Sequence, residues 1–166
     1  MPDFEVLGIE LKTVPIDARG RPRESTYVTT LPLRELGAAR FEDSHLAKKL
    51  TQVLFLPVEA TPALPLRVRR IGAPMLWRPS ERDRATLAAD WARFAARVLA
   101  GDVDAIGPAV GDVLQVRPKG ADAGDTTWSR GSDGGEFRTM RRGLYLRPGF
   151  VHELFRRYFH MPEGTP

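Results

Sequence analysis

The sequence predicts an α/β fold, and three features carry the prediction. Alternating and β-branched segments crowd its first third, one long amphipathic stretch fills the middle, and a strand, a glycine-rich loop and a second amphipathic stretch close the chain. With 166 residues, 42% of them hydrophobic, the chain has material for a real core, which excludes wholesale disorder.

The elements follow in order. Residues 8–16 alternate Ile9, Leu11 and Thr13 with Glu10, Lys12 and Val14, the period of a strand; Leu11 is expected in the core, with Glu10 and Lys12 projecting together from the other side. Residues 17–22 are turn chemistry, and the β-branched residues 24–31 are expected to return as the hairpin partner of the first strand. Ser44 is placed to cap a short helix carrying Leu46, Lys48, Lys49 and Leu50. The apolar run 52–58 has the look of a buried strand, and 66–76 is a further strand whose end Pro74 obscures. Residues 81–100 form the clearest helix. Ser80 and Asp83 make a capping box, Leu87, Trp91, Phe94, Ala95, Val98 and Leu99 share a face, and Gly101 stops the helix. Residues 113–116 are a strand that runs into Arg117-Pro118-Lys119, and 120–142 is a long polar loop with room for a hairpin. A strand at 144–146 precedes a closing helix over 149–159, with Phe150, Val151, Leu154, Phe155 and Tyr158 on its apolar face.

Composition narrows the function. There is no cysteine, which excludes a disulfide scaffold, a thiol nucleophile and a thiolate zinc site, and fits a reducing compartment. No stretch approaches the roughly eighteen apolar residues of a membrane span, and Met1-Pro2-Asp3-Phe4-Glu5 lacks the basic and apolar regions of a secretory signal, so a cytoplasmic location with no membrane is expected. The net charge of +4 admits nucleic acid or an anionic substrate without demanding either. The excess is local: Arg117, Lys119 and seven other Lys or Arg residues face five acids between 117 and 160, which marks that third as a phosphate track. His45, His152 and His160 share no metal spacing, and Gly131-Ser132-Asp133-Gly134-Gly135 lacks the Lys-Ser/Thr of a phosphate loop. Trp77, Trp91 and Phe94 are expected in the core.

Asp3, Glu10 and Lys12 form the one constellation with chemistry. If Asp3 folds back, two carboxylates and the carbonyl of Leu11 offer the oxygen donors of a hard cation such as Mg²⁺, which keeps several waters. One of those waters, beside Lys12, is a candidate nucleophile for a phosphodiester, with the ammonium stabilising developing charge. On spacing alone the commoner origin of such a triplet is a solvated strand face with a surface Glu–Lys pair.

The wider sequence resembles the MutH family of methyl-directed mismatch-repair endonucleases, within the PD-(D/E)xK superfamily. The resemblance runs through residues 3–17, Gly20-Arg21-Pro22, residues 24–28, Ser44-His45, Lys49-Leu50 and residues 53–59. It continues through residues 69–77, Asp90-Trp91, residues 114–119 and residues 142–146 in one register. It implies a restriction-endonuclease-like mixed sheet flanked by helices and a Mg²⁺-dependent enzyme. Such an enzyme nicks the unmethylated strand of double-stranded DNA at hemimethylated GATC when a MutL-like activator engages it. By position, Asp3 and Glu10 match the metal-binding carboxylates, Leu11 lies between them and the catalytic lysine, and Lys12 matches that lysine. Tyr27 matches an aromatic that contacts target DNA, and Lys49 a DNA-contacting lysine. Arg117 and Pro118, with Lys119 after them, match the loop that reads the recognition sequence, and Tyr145 the tyrosine that senses adenine methylation. The family carries a further helical segment before the Asp3 position, so residues 1–166 are expected to be a single, monomeric endonuclease domain that is N-terminally incomplete relative to the family. Two rival readings are a DNA- and MutL-binding module with impaired catalysis, and a GATC-specific restriction endonuclease that cuts both strands.

The residues give these roles a physical basis. Arg117 can bond a guanine edge bidentately in the major groove. Tyr145, between Leu144 and Leu146, is either a ring facing the target adenine or ordinary strand packing. Lysines such as Lys48 and Lys49 are more often solvated than bound to phosphate.

Overall fold

The computed structural model describes residues 2–61, 63–120 and 124–161. Along them run β1 (Glu10–Ile16), β2 (Thr26–Thr30), α1 (His45–Lys49), β3 (Val53–Glu59), β4 (Met75–Trp77), α2 (Glu81–Leu99), β5 (Leu114–Pro118), β6 (Thr126–Arg130), β7 (Glu136–Met140), β8 (Arg142–Leu146) and α3 (Pro148–Phe159). They fall into two compact units, the first drawn from Met1–Thr26, Lys49–Pro79 and Leu146–Pro166, the second from Tyr27–Lys48 and Ser80–Tyr145. The predicted α/β class holds. Among the described residues no helix is long and apolar enough to cross a membrane.

The first unit is built on a mixed sheet of order β1-β3-β4. β1 and β3 are parallel, with Glu10 opposite Val53 and Lys12 opposite Phe55, and β4 returns antiparallel with Met75 opposite Phe55. Opposed residues of a parallel pair share a face. Fully buried Val14, Val53 and Phe55 therefore put the core on the side that also carries Glu10 and Lys12. α3 covers this side through Phe155, edge-on to Phe55 at 6.1 Å, and Phe150, edge-on to Trp77 at 5.9 Å. Pro57 lies in the central strand, where a missing N–H is normally excluded. It is tolerated because the β4 pairing ends at Phe55, and its carbonyl still accepts from the Gly72 N–H at 2.8 Å.

In the first half of the chain the structure corrects three expectations. Leu11 is half-exposed and Thr13 exposed, so the core face of β1 is that of Glu10, Lys12 and Val14. Residues 24–31 do form a strand, but β2 pairs with β8 rather than β1. The turn after β1 is closed on itself: the Asp17 N–H donates to the Arg21 carbonyl, and the Asp17 carboxylate accepts from the Arg21 and Arg19 N–H groups. Those bonds, the Arg21 backbone bond foremost, hold the Asp17 carboxyl below the usual carboxylate range. Only one bridge, Ile16 to Pro22, follows before the chain leaves. Of residues 66–76, only the last two are strand, as the start of β4, and Leu66–Val68 are a turn of 3₁₀ helix.

The second unit carries a sheet of order β2-β8-β5 and the hairpin β6–β7. α2 begins at the predicted capping box: Ser80 Oγ accepts from the Asp83 N–H at 3.1 Å and Asp83 Oδ2 from the Ser80 N–H at 3.2 Å. Leu87, Trp91, Phe94 and Val98 are its buried stripe, and Trp91 Nε1 donates to the Ala39 carbonyl at 3.1 Å. Leu99, expected on that stripe, is exposed, as is Tyr158 of α3; each sits in its helix's last turn. Ser44 Oγ accepts from the Ala47 N–H at 3.0 Å and so caps α1 as expected. The polar stretch 120–142 contains the hairpin, with Gly134 at φ 81° in its tip, while residues 121–123 lie outside the described residues.

Candidate active site and recognition face

Asp3 reaches β1 because residues 4–9 turn back tightly. The Phe4 N–H donates to the Ile9 carbonyl at 2.9 Å, Ile9 returns a bond at 3.2 Å, and Gly8 takes the left-handed φ of 64° that the turn requires. Asp3 Oδ2 then accepts from the Leu11 N–H at 2.8 Å, which sets its carboxylate one residue from Glu10. Glu10 is 1% exposed. Its Oε1 accepts from Lys12 Nζ and from Lys49 Nζ, both at 2.6 Å, and its Oε2 is buried with no hydrogen-bond partner among the described residues. The Glu–Lys pair is therefore not the solvated surface pair that spacing alone favours.

A buried carboxylate oxygen without a donor is costly and calls for an explanation. A cation supplies one. Glu10 Oε2, the Asp3 carboxylate and the Leu11 carbonyl are hard oxygen donors, which suits Mg²⁺ better than a softer metal. Among the described residues no cluster of three or more His, Cys, Asp or Glu exists, so water would complete such a shell, as Mg²⁺ prefers. The residues present fit a hydrated divalent cation.

The second cluster lies on one side of the β2-β8-β5 sheet. Tyr27 and Tyr145 meet edge to face with centroids 5.3 Å apart. The Arg117 guanidinium lies 5.9 Å from the Tyr145 ring centre, and Lys119 Nζ lies 4.1 Å from that of Tyr27. Leu144 and Leu146 are fully buried while Tyr145 is half-buried, as strand alternation requires, and Arg117 and Pro118 are exposed at the end of β5. Gly143 lies beneath the rings: a Cβ there would come within 2.9 Å of Tyr145 and 3.1 Å of Tyr27. Tyr27, Arg117, Lys119 and Tyr145 are thus brought together. Lys49 is not with them; it sits on Glu10.

Sequence reasoning missed two supports of this cluster, Gly143 and Asp90. Asp90 is fully buried, and its carboxylate accepts from the N–H groups of Asp112, Val113 and Leu114 at 2.8–3.0 Å and pairs with Arg93 at 3.1 Å. Gly111 passes so close that a Cβ would lie 2.9 Å from Asp90 Oδ2. This clamp fixes the entry to β5, three residues before Arg117. The signal was present: Asp90 falls within the apolar period of Leu87, Trp91, Phe94 and Val98, where an acid must be paired.

Comparison with known proteins gives the family. The family model described as DNA mismatch repair enzyme MutH matches residues 1–90. The chain is 43% identical over 157 residues to the DNA mismatch repair protein MutH of Klebsiella pneumoniae strain 342, covering 95% of this chain and 68% of that protein. It is 42% identical, with the same coverage, to the proteins of that name from Salmonella paratyphi B and Salmonella newport. The mixed sheet with flanking helices is the restriction-endonuclease-like architecture expected of such relatives. A family match over more than half of the chain, joined to identity of this level along nearly all of it, means that the chain belongs to the MutH family of DNA mismatch repair enzymes.

Proposed function

We propose that this chain, a mismatch-repair endonuclease by family, nicks the unmethylated strand of duplex DNA at hemimethylated GATC, with Mg²⁺ held by Asp3, Glu10 and the Leu11 carbonyl. The observation that carries the reading is Glu10: a carboxylate buried on the core face of an edge strand, one oxygen saturated by lysines and the other without a partner among the described residues. The chemistry a bound Mg²⁺ supplies is polarisation of a phosphoryl oxygen and a lowered pKa for its water. Lys12, on the same strand face as Glu10, presents an ammonium that stabilises charge building on the phosphate and orients the attacking water. Asp3, tied to the Leu11 N–H, keeps its second oxygen for the cation.

Reading falls to the other cluster. Arg117 is suited to a guanine edge, with Pro118 shaping the loop, and Lys119 and Lys49 to phosphates. Tyr27 and Tyr145 offer a rigid aromatic wall whose fit to adenine changes when a methyl group is added. The partners of this reading are double-stranded DNA and a MutL-like activator. Residues 1–166 act as one endonuclease domain, monomeric and cytoplasmic.

The test is cleavage of a supercoiled plasmid carrying one GATC site, with a MutL-like activator present. The expected products are relaxed circles in Mg²⁺, none in chelator and none with Glu10→Gln. Linear product would favour a two-strand restriction enzyme, and binding without cleavage in every metal would favour a DNA-binding module.

A further inference from the structure

Glu10 Oε1 holds two ammonium groups, and they differ in how they are tied. Lys12 shares β1 with Glu10 two residues away, so the strand itself keeps the pair together. Lys49 arrives from the last residue of α1, 39 positions along the chain, and reaches the same oxygen through its flexible stem. The charges cancel: Asp3 and Glu10 carry two negatives, Lys12 and Lys49 two positives. A neutral cluster gives a divalent cation little Coulombic reason to bind. Move Lys49 away and the cluster carries one negative charge; add a phosphodiester and it carries two.

We propose that Lys49 is a transferable counter-ion: seated on Glu10 it keeps divalent-cation affinity low, and its transfer to a DNA phosphate raises that affinity, so that cation loading is coupled to substrate. The inference rests on the reading of Glu10 as a cation ligand. Lys49 is the member that moves, because the strand keeps the base of the Lys12 stem beside Glu10 whatever its ammonium does, whereas Lys49 comes from another element and reaches Glu10 only by its stem. The coupling is reciprocal, so the cation must tighten DNA binding by the same factor by which DNA tightens cation binding. Lys49 in this role is a positioning residue for charge, and its effect appears in metal affinity rather than in turnover alone.

The experiment measures Mn²⁺ binding to the whole chain by electron paramagnetic resonance, without DNA, for the parent, Lys49→Met, Lys49→Arg and Glu10→Gln. Removing one positive charge from beside a divalent cation is worth roughly a factor of ten in water, so Lys49→Met should bind Mn²⁺ about tenfold more tightly than the parent. Lys49→Arg, which keeps the charge, should match the parent, and Glu10→Gln should lose the site. A second arm measures DNA affinity with and without Ca²⁺; the enhancement by Ca²⁺ should be smaller for Lys49→Met than for the parent. Lys49→Gln replaces Lys49→Met if the latter melts early. Unchanged or weaker Mn²⁺ binding in Lys49→Met, with Glu10→Gln still abolishing the site, overturns the counter-ion role while leaving the cation reading intact. Parent-like Mn²⁺ binding in Glu10→Gln overturns the cation reading and the coupling with it.

Discussion

Asp90 carries more of the second unit's order than its single charge suggests. A carboxylate withdrawn from water survives only if its lone pairs are met, and Asp90 meets them with three consecutive backbone N–H groups and Arg93. Asp90→Ala takes the acceptor from the buried Leu114 N–H and from the part-buried N–H groups of Asp112 and Val113, while Arg93 keeps Asp112 at 2.8 Å, and should cost about 3–5 kcal/mol of stability. Asp90→Asn keeps one acceptor oxygen and should cost less. Chemical denaturation of both variants checks this, and a loss under about 1 kcal/mol in Asp90→Ala would mean that residues 111–114 are held by other contacts. The same scale shows where sequence reading reached and where it stopped. Asp3, Glu10 and Lys12 were legible as a set, because strand period puts Glu10 and Lys12 on one side. Which side was not legible: Leu11 and Val14 lie on opposite faces and are both apolar, so alternation alone could not choose. Val53 and Phe55 decide it, by burying the face opposite Leu11. Lys49 on Glu10 was illegible for a related reason, since a contact across 39 residues has no local period.

The β2-β8-β5 sheet turns single residues into a surface. Propensity identified each strand, yet it gave β2 the wrong partner, because β-branched residues record fitness for a pleated surface and not which neighbour completes it. Glycine at 143 is the element's least visible requirement. It permits the Tyr27 and Tyr145 rings to settle on the backbone of β8, and any Cβ forces both to move. Gly143→Ala should therefore destabilise by about 1–3 kcal/mol through overpacking and narrow the difference in nicking between hemimethylated and fully methylated duplexes. Tyr145→Ser removes the nearer ring, so the pair Gly143→Ala/Tyr145→Ser should lose less stability than the two single changes summed. Thermal melts of the four proteins, with nicking on three methylation states of one duplex, supply the comparison. Simple additivity would show that the rings do not rest on residue 143. A Tyr145→Ser variant that melts several degrees lower and keeps its methylation preference would make the tyrosine a packing residue.

The chain crosses between its two units four times, at 26/27, 48/49, 79/80 and 145/146, and the candidate residues sort cleanly between them. Asp3, Glu10, Lys12 and Lys49 belong to the first unit; Tyr27, Arg117, Lys119 and Tyr145 belong to the second. That sorting could not be read from the sequence, where Tyr145 and Leu146 are neighbours and Lys12 and Lys49 are not. It implies that cutting and reading can be removed one at a time. On the proposed reading, Lys12→Ala takes away a charge needed when the phosphodiester breaks, and it leaves the second unit untouched. It should abolish nicking while affinity for GATC duplex in Ca²⁺ stays within a few-fold and discrimination against one-base variants is unchanged. Arg117→Ala removes the base contact proposed for it and leaves the Glu10 cluster whole. It should lower discrimination by about 1–3 kcal/mol, with residual nicking still dependent on Mg²⁺. Binding titrations against the target and single-base variants, run beside nicking assays on both proteins, decide the matter. If Arg117→Ala weakens binding equally on every sequence, Arg117 is a phosphate contact and not a reader. If Lys12→Ala still nicks near the parent rate, Lys12 serves only to neutralise Glu10, and the chemistry assigned to the first unit fails.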